Sequence, residues 1–210
     1  MRDFCKCWIL RYTFLTLFAW SAKPGGSFWV AREAIFLAER RHIDLALARR
    51  NVRLGMLALD WRKAFDSISP TALLQALRRF GLPEPFIEMV ASIYSDRRFQ
   101  VNECGTVSEP RNQHSGICQG CPLSPVLFII VMTVLMESAR AQLSPAAQQA
   151  VAEHRLYDIL YADDTLILGT GVAGVEELAS AIEKARTEFG MTLHWGKTQA
   201  MAVCSESRLK

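Results

Sequence analysis

Three aspartates stand where a carboxylate is costly. Asp163 and Asp164 are adjacent inside the apolar run LYADDTLILG (160–169), and Asp60 closes a second run, RLGMLALD (53–60). Burying an unpaired charge is expensive, and carboxylates brought together repel unless a proton or a cation intervenes. With both runs as neighbouring strands, Asp60 and Asp163 converge at strand tips from about a hundred residues apart. Hard oxygen ligands with few other donors suit Mg²⁺, which keeps waters and takes one or two carboxylates plus substrate phosphates. Two such ions about 4 Å apart stabilise the attacking and leaving oxygens of an in-line phosphoryl displacement. The Asp-Asp pair alone does not compel this chemistry, because aspartate also suits a plain hairpin turn by bonding its own backbone.

The elements that must position these groups follow from local pattern. RLGMLALD reads as a buried strand ending on Asp60. Ile159–Ala162 and Thr165–Leu168 read as strand, tight turn and strand, with both aspartates at the turn. SPTALLQALRRFG (69–81) has Ser69 as N-cap, Pro70 at the first helical position and Gly81 as the stop. PFIEMVASIY (85–94) is a further helix, and RFQVNECGTVSEPRNQ (98–113) a hairpin turning near Gly105. SPVLFIIVMTVLMESARAQL (124–143), apolar nearly all round, is a buried helix. VEELASAIEKARTEFG (175–190) is a helix ended by Gly190, and MTLHW and TQAMAVC finish as short strands. AREAIFLAERRHIDLALARR (31–50) has helical spacing with one basic face. A few strands with helices on one face make an α+β layer.

At 210 residues and 50% hydrophobic, the chain can bury a sizeable core and is not a disordered tail. Its six cysteines are too sparse and irregular for a disulfide framework, which favours a reducing compartment, nucleus or cytoplasm, over secretion. Residues 1–80 carry a formal charge of +8 and the remainder −5. That asymmetry suits a basic face for a polyanion and an acidic site for a cation, although solvated helix faces produce similar skews. The runs at 7–20 and 125–136 fall short of the roughly 18 apolar residues a membrane span needs, so no membrane is expected. The first run also has the look of a signal-peptide core, and residues 1–22 are set apart as an apolar leader.

Four blocks occur in order: DWRKAFDSI (60–68), GICQGCPLSP (116–125), YADD (161–164) and GMTLHWGKT (190–198). Together they resemble the palm of reverse transcriptases, with the nearest likeness to non-long-terminal-repeat, LINE-like retrotransposons and their group II intron relatives. The likeness runs from about Gly26 to Cys204. It implies a polymerase palm, a small antiparallel sheet backed by helices, over 54–204, with a partial fingers helix over 23–53, no thumb, and a tail at 205–210. By the same likeness Asp60 and Asp163 hold two Mg²⁺ ions, with Mn²⁺ as a substitute, and Asp164 assists as a third acid. Phe65 resembles the aromatic gate that excludes a ribose 2′-hydroxyl, and the backbone of Trp61, Arg62, Lys63 and Ala64 would lie beside the incoming triphosphate. Gln119 and Gly120 match the block that touches the nucleotide or template base, the glycine allowing close approach. Lys197 matches the lysine that protonates or neutralises leaving pyrophosphate. Arg40, Arg41, Arg49 and Arg50, with Arg32, would meet nucleic-acid phosphates, which bind without reading sequence. Two positions depart from the pattern: Cys118 stands where arginine is common, and His194 where asparagine is usual.

The implied activity is RNA-directed DNA polymerisation, using an RNA template, a DNA primer and deoxynucleoside triphosphates. Beside it stand an inert nucleic-acid-binding remnant of such an element and a viral RNA-templating RNA polymerase. The latter usually has glycine before the paired aspartates and lacks the aromatic gate. Cys118-x-x-Cys121 also fits a zinc or redox site, though one such pair without a second is weak.

Overall fold

The computed structural model describes Asp44 and residues 53–204; the leader, the basic cluster Arg40, Arg41, Arg49 and Arg50, and the tail lie outside the described residues. Asp44, within the expected fingers helix, is helical. The described chain falls into two compact units, one of residues 53–61, 137–184 and 193–204, the other of 62–136 and 185–192.

The first unit is built on an antiparallel sheet. Strands β1 (Arg53–Leu59), β6 (Leu156–Tyr161), β7 (Asp164–Gly169) and β8 (Gln199–Cys204) lie in the order β6-β7-β1-β8. The register pairs Gly55 with Gly169, and a Cβ on either would come within 3.3 Å or 2.9 Å of Val175. Two glycines side by side on neighbouring strands thus let helix α6 (Val172–Ala185) lie directly on β1 and β7. Asp158 of β6 is buried and paired with Arg140, near the end of helix α4 (Ser124–Arg140), at 2.5 Å.

The second unit is mostly helical, with α1 (Ala64–Ser67), α2 (Pro70–Phe80), α3 (Glu84–Tyr94) and the start of α4. Helix α2 has the expected limits. Ser69 Oγ accepts from the Ala72 N–H at 3.1 Å, Pro70 opens the helix, and Gly81 closes it with φ 91°. The expected hairpin is two short ladders, β2 (Arg98–Phe99) with β5 (Arg111–Asn112) and β3 (Asn102–Glu103) with β4 (Thr106–Val107). It turns on Cys104 and Gly105, both at positive φ, as a type I′ turn requires.

Three expectations need correction. The buried helix ends at Arg140, and a separate helix α5 (Pro145–Ala152), capped by Ser144, follows it. Helix α6 starts three residues early and finishes as a 3₁₀ turn, Arg186–Phe189. MTLHW is not a strand; only Leu193 bridges, to Trp61.

The Arg140–Asp158 pair yields a stability test. Arg140→Ala strands the Asp158 carboxylate, whose side chain is 4% exposed, without its partner. Urea unfolding should show a loss of about 3 kcal/mol or more, whereas Arg140→Met with Asp158→Leu together should recover most of it.

Candidate active site

Strand pairing gathers the three aspartates of the first unit. Leu59 lies opposite Thr165, so one position further along each chain places Asp60 across from Asp164. Tyr161 pairs with Asp164, leaving Ala162 and Asp163 as the whole turn. Asp163 is therefore in the turn as expected, while Asp164 opens β7. The first turn residue must take positive φ to match the twist of the strands. Ala162 does so, at φ 51°, where an L side chain is strained by about 1 kcal/mol. Behind the acids, the buried Trp61 indole N–H donates to Thr165 Oγ at 3.0 Å, bonding the end of β1 to β7. The Trp61 ring is thus committed to the core, and only its backbone is left for a ligand.

The electrostatics follow from this crowding. Burial of its carboxyl group, then the charges of Asp163 and Asp60, raise the Asp164 pKa above the usual aspartate value, although the residue as a whole is exposed. Among the described residues no group of three or more histidine, cysteine, aspartate or glutamate side chains is spaced so that it could hold a metal ion. The cation at hand is Lys197, whose Nζ lies 3.5 Å from Asp60 Oδ2. Its loop is anchored on the same aspartate: the His194 N–H donates to the Asp60 carbonyl at 2.8 Å, and the Lys197 N–H to the His194 carbonyl at 2.9 Å. With histidine at 194 the loop still delivers its lysine to Asp60. Carboxylate oxygens are the donors a hard divalent cation takes, so by their chemistry, though not as a preformed cage, Asp60, Asp163 and Asp164 are the candidates to hold one.

In the second unit, Phe65 is half-buried and stacks on the buried ring of Phe128, centroids 4.3 Å apart and 14° from parallel. Lys63 precedes it at φ 49° and is exposed, as is the Arg62 side chain, while Ala64 is buried. The Arg62 amide is already used, donating to the Thr192 carbonyl at 2.8 Å. Gln119 is exposed and donates from Nε2 to Asp66 Oδ1 at 3.1 Å. Gly120 sits at φ 87° with nothing within 4 Å of an added Cβ, so its glycine serves the backbone conformation. Cys118 and Cys121 are free thiols, and the Cys118 N–H donates to Tyr94 Oη at 3.3 Å.

Gly116, Gly190 and Arg97 hold this arrangement, and of these the sequence singled out only Gly190, as a helix stop. A Cβ on Gly116, at φ 95°, would stand 2.9 Å from Asp66 Cα, and the neighbouring Ile117 N–H donates to the Phe65 carbonyl at 2.7 Å. On Gly190, at φ 73°, it would stand 2.9 Å from the Ser67 carbonyl oxygen. Arg97 bonds the Gly116 carbonyl at 3.1 Å and Gln113 Oε1 at 2.8 Å, and lies over the Tyr94 ring. Only the glycines left a trace in the sequence, since a glycine between structured segments is a marker of close approach or positive φ.

An acidic hairpin tip against a neighbouring strand end, in a mixed helix and antiparallel sheet fold, defines a polymerase palm. The same architecture recurs in apo telomerase from Candida tropicalis truncated from its C-terminal domain, with a TM-score of 0.63 at 16% identity over 85% of this chain and 36% of that one. The reverse transcriptase (RNA-dependent DNA polymerase) family model matches residues 34–208, and the chain belongs to that family. It is 32% identical over 159 residues to the retrovirus-related Pol polyprotein of type-1 retrotransposable element R2 from Popillia japonica, covering 73% of this chain and 25% of the relative. It is 27% identical over 171 residues to the retrovirus-related Pol polyprotein of type-2 retrotransposable element R2DM from Drosophila melanogaster, covering 80% of this chain and 16% of the relative. The chain thus spans a quarter or less of these relatives. Among the described residues no helix is long and apolar enough to cross a membrane.

Two outcomes test this geometry. Gly116→Ala and Gly120→Ala both force alanine into positive φ, costing about 1 kcal/mol each, but only the former also meets backbone. Gly116→Ala should therefore lose at least about 1 kcal/mol more in urea unfolding than Gly120→Ala. For Asp164 the folded-state pKa is raised, so the native state binds more protons and stability falls as pH rises through the interval above the ordinary aspartate value. In chelator-treated buffer Asp164→Asn should melt a little higher than the parent at neutral pH. That gain should vanish on acidification below the ordinary aspartate value.

Proposed function

We propose that this chain is the nucleotidyl-transferring part of an RNA-directed DNA polymerase of an R2-like, non-long-terminal-repeat retroelement. The observation that carries the proposal is the β1–β7 register, which ends with Leu59 opposite Thr165 and so brings Asp60 to the end of the sheet where Asp164 opens β7 and Asp163 lies in the adjoining turn, in a chain of the reverse transcriptase family. The reaction is attack of a primer 3′-hydroxyl on the α-phosphorus of a deoxynucleoside triphosphate, with pyrophosphate leaving, directed by an RNA template. Asp60, Asp163 and Asp164 would hold two Mg²⁺ ions, or Mn²⁺ in their place, which would supply charge neutralisation for the in-line displacement. Phosphoryl transfer is mostly positioning plus charge stabilisation, so no side chain acts as a covalent nucleophile.

The chain's own groups have separate tasks. Lys197, beside Asp60, donates a proton or its charge to the departing pyrophosphate. Phe65, backed by Phe128 so that its ring cannot retreat, occupies the space a ribose 2′-hydroxyl would need. The backbone of Trp61, Arg62, Lys63 and Ala64 lies beside the triphosphate, and Gln119 and Gly120 meet the nucleotide or template base. Arg40, Arg41, Arg49 and Arg50 meet nucleic-acid phosphates. A telomerase of the same fold from Candida tropicalis has been seen in complex with a fragment of telomeric RNA, which supports an RNA partner here.

Primer extension on an RNA template with Mg²⁺ or Mn²⁺ tests the reading. Asp163→Ala should lower extension at least about a thousandfold, the scale of losing a metal ligand in metal-assisted transfer. Phe65→Val should admit ribonucleotides while keeping deoxynucleotide use. Nucleic-acid binding with no Asp163-dependent extension would instead identify an inert remnant.

A further inference from the structure

Gln119 has a donor end and an acceptor end, and its neighbour settles which faces outward. An ionised carboxylate only accepts hydrogen bonds, so Asp66 can engage only the amide nitrogen, as it does at 3.1 Å. The carbonyl oxygen, Oε1, is thereby turned away from Asp66. The two residues are 53 positions apart, yet the backbones that carry them are locked together. The Ile117 N–H bonds the Phe65 carbonyl, the Gly116 N–H bonds the Ile68 carbonyl at 2.8 Å, and Gly116 leaves no space for a Cβ over Asp66. Asp66 itself is fixed by its N–H, which donates to the Lys63 carbonyl at 2.9 Å at the start of α1. Both side chains are exposed, so their bond contributes little to folding, and its consequence is orientation.

We propose that Asp66 is a positioning residue whose carboxylate sets the Gln119 carboxamide to present an acceptor, so that this position recognises a hydrogen-bond donor on the incoming nucleotide. The inference rests on the reading of Gln119 as a nucleotide contact. Asp66 carries the same charge sign as a triphosphate, which fits a part played through Gln119 and not by direct contact. An asparagine at 66 keeps the shape but can donate or accept, so it no longer dictates the orientation of Gln119.

Calorimetric titration of the whole chain with dTTP in Mg²⁺ buffer, with melting curves alongside, tests this. Asp66→Asn and Asp66→Ala should weaken binding about three- to tenfold, the scale of one hydrogen bond, with melting unchanged. Asp66→Glu should restore affinity to within about twofold, the carboxylate being kept. In a Gln119→Ala background, Asp66→Ala should have no further effect on binding. An undiminished Asp66→Ala effect in that background, or none with Gln119 present, overturns the inference and leaves the polymerase reading standing. Failure of the parent chain to bind dTTP at all overturns the reading, and the inference with it.

Discussion

Like charges do not gather unaided, and the structure depends on what compels three of them to do so. Asp60, Asp163 and Asp164 are brought together by the antiparallel pairing of β1 with β7 and by a hairpin connection of two residues. Burial first, and then the charges of Asp163 and Asp60, raise the pKa of Asp164. Set against the repulsion are ladder hydrogen bonds, the Trp61–Thr165 bond directly behind the acids, and helix α6 laid on Gly55 and Gly169. A one-residue slip of β1 would send Asp60 to the other face of the sheet and dissolve the cluster. Register, more than any single side chain, is what the acidic site requires.

The second unit solves a similar problem with glycine. Helix α1 is only four residues long and carries Phe65 and Asp66, so its own hydrogen bonds cannot fix it in place. Gly116 and Gly190 supply what it lacks, each meeting its backbone too closely for a Cβ, and Phe128 adds a stacking surface. Side chains from sequence blocks about fifty residues apart therefore pack within one compact unit.

Local signals were legible in the sequence to the residue. Helix α2 begins and ends where Ser69, Pro70 and Gly81 say it must, because capping is decided within one turn of chain. The acidic hairpin was plain as well, since apolar residues lead into Asp163 and Asp164 and follow Thr165, but its turn is Ala162–Asp163, with Asp164 in β7 and not at the turn as expected. Helix α5 was missed despite its Ser-Pro start: its alanines and glutamines make no apolar stripe, and Ala147 is its one buried residue. MTLHW alternates truly, with Met191 and Leu193 buried and Thr192 exposed, but has no partner strand beyond the Trp61 bridge. Trp61 sits in the block that the family resemblance places against the triphosphate, yet its indole is spent on Thr165. Arg97 and the tight seat of Gly116 depend on who approaches from elsewhere in the chain, which no local pattern encodes.

The shortness of the Ala162–Asp163 connection has a kinematic consequence. A longer loop could shift its acids by redistributing backbone torsions, but two residues clamped between paired strands, one already at φ 51°, have no slack. Whatever adjustment Asp163 makes to an approaching ligand is left to its own χ1, with three staggered positions, and to χ2, a broad two-fold torsion that mainly spins the carboxylate. The hairpin tip thus acts as a fixed mount with two pivots, and larger travel must come from the partners that approach it.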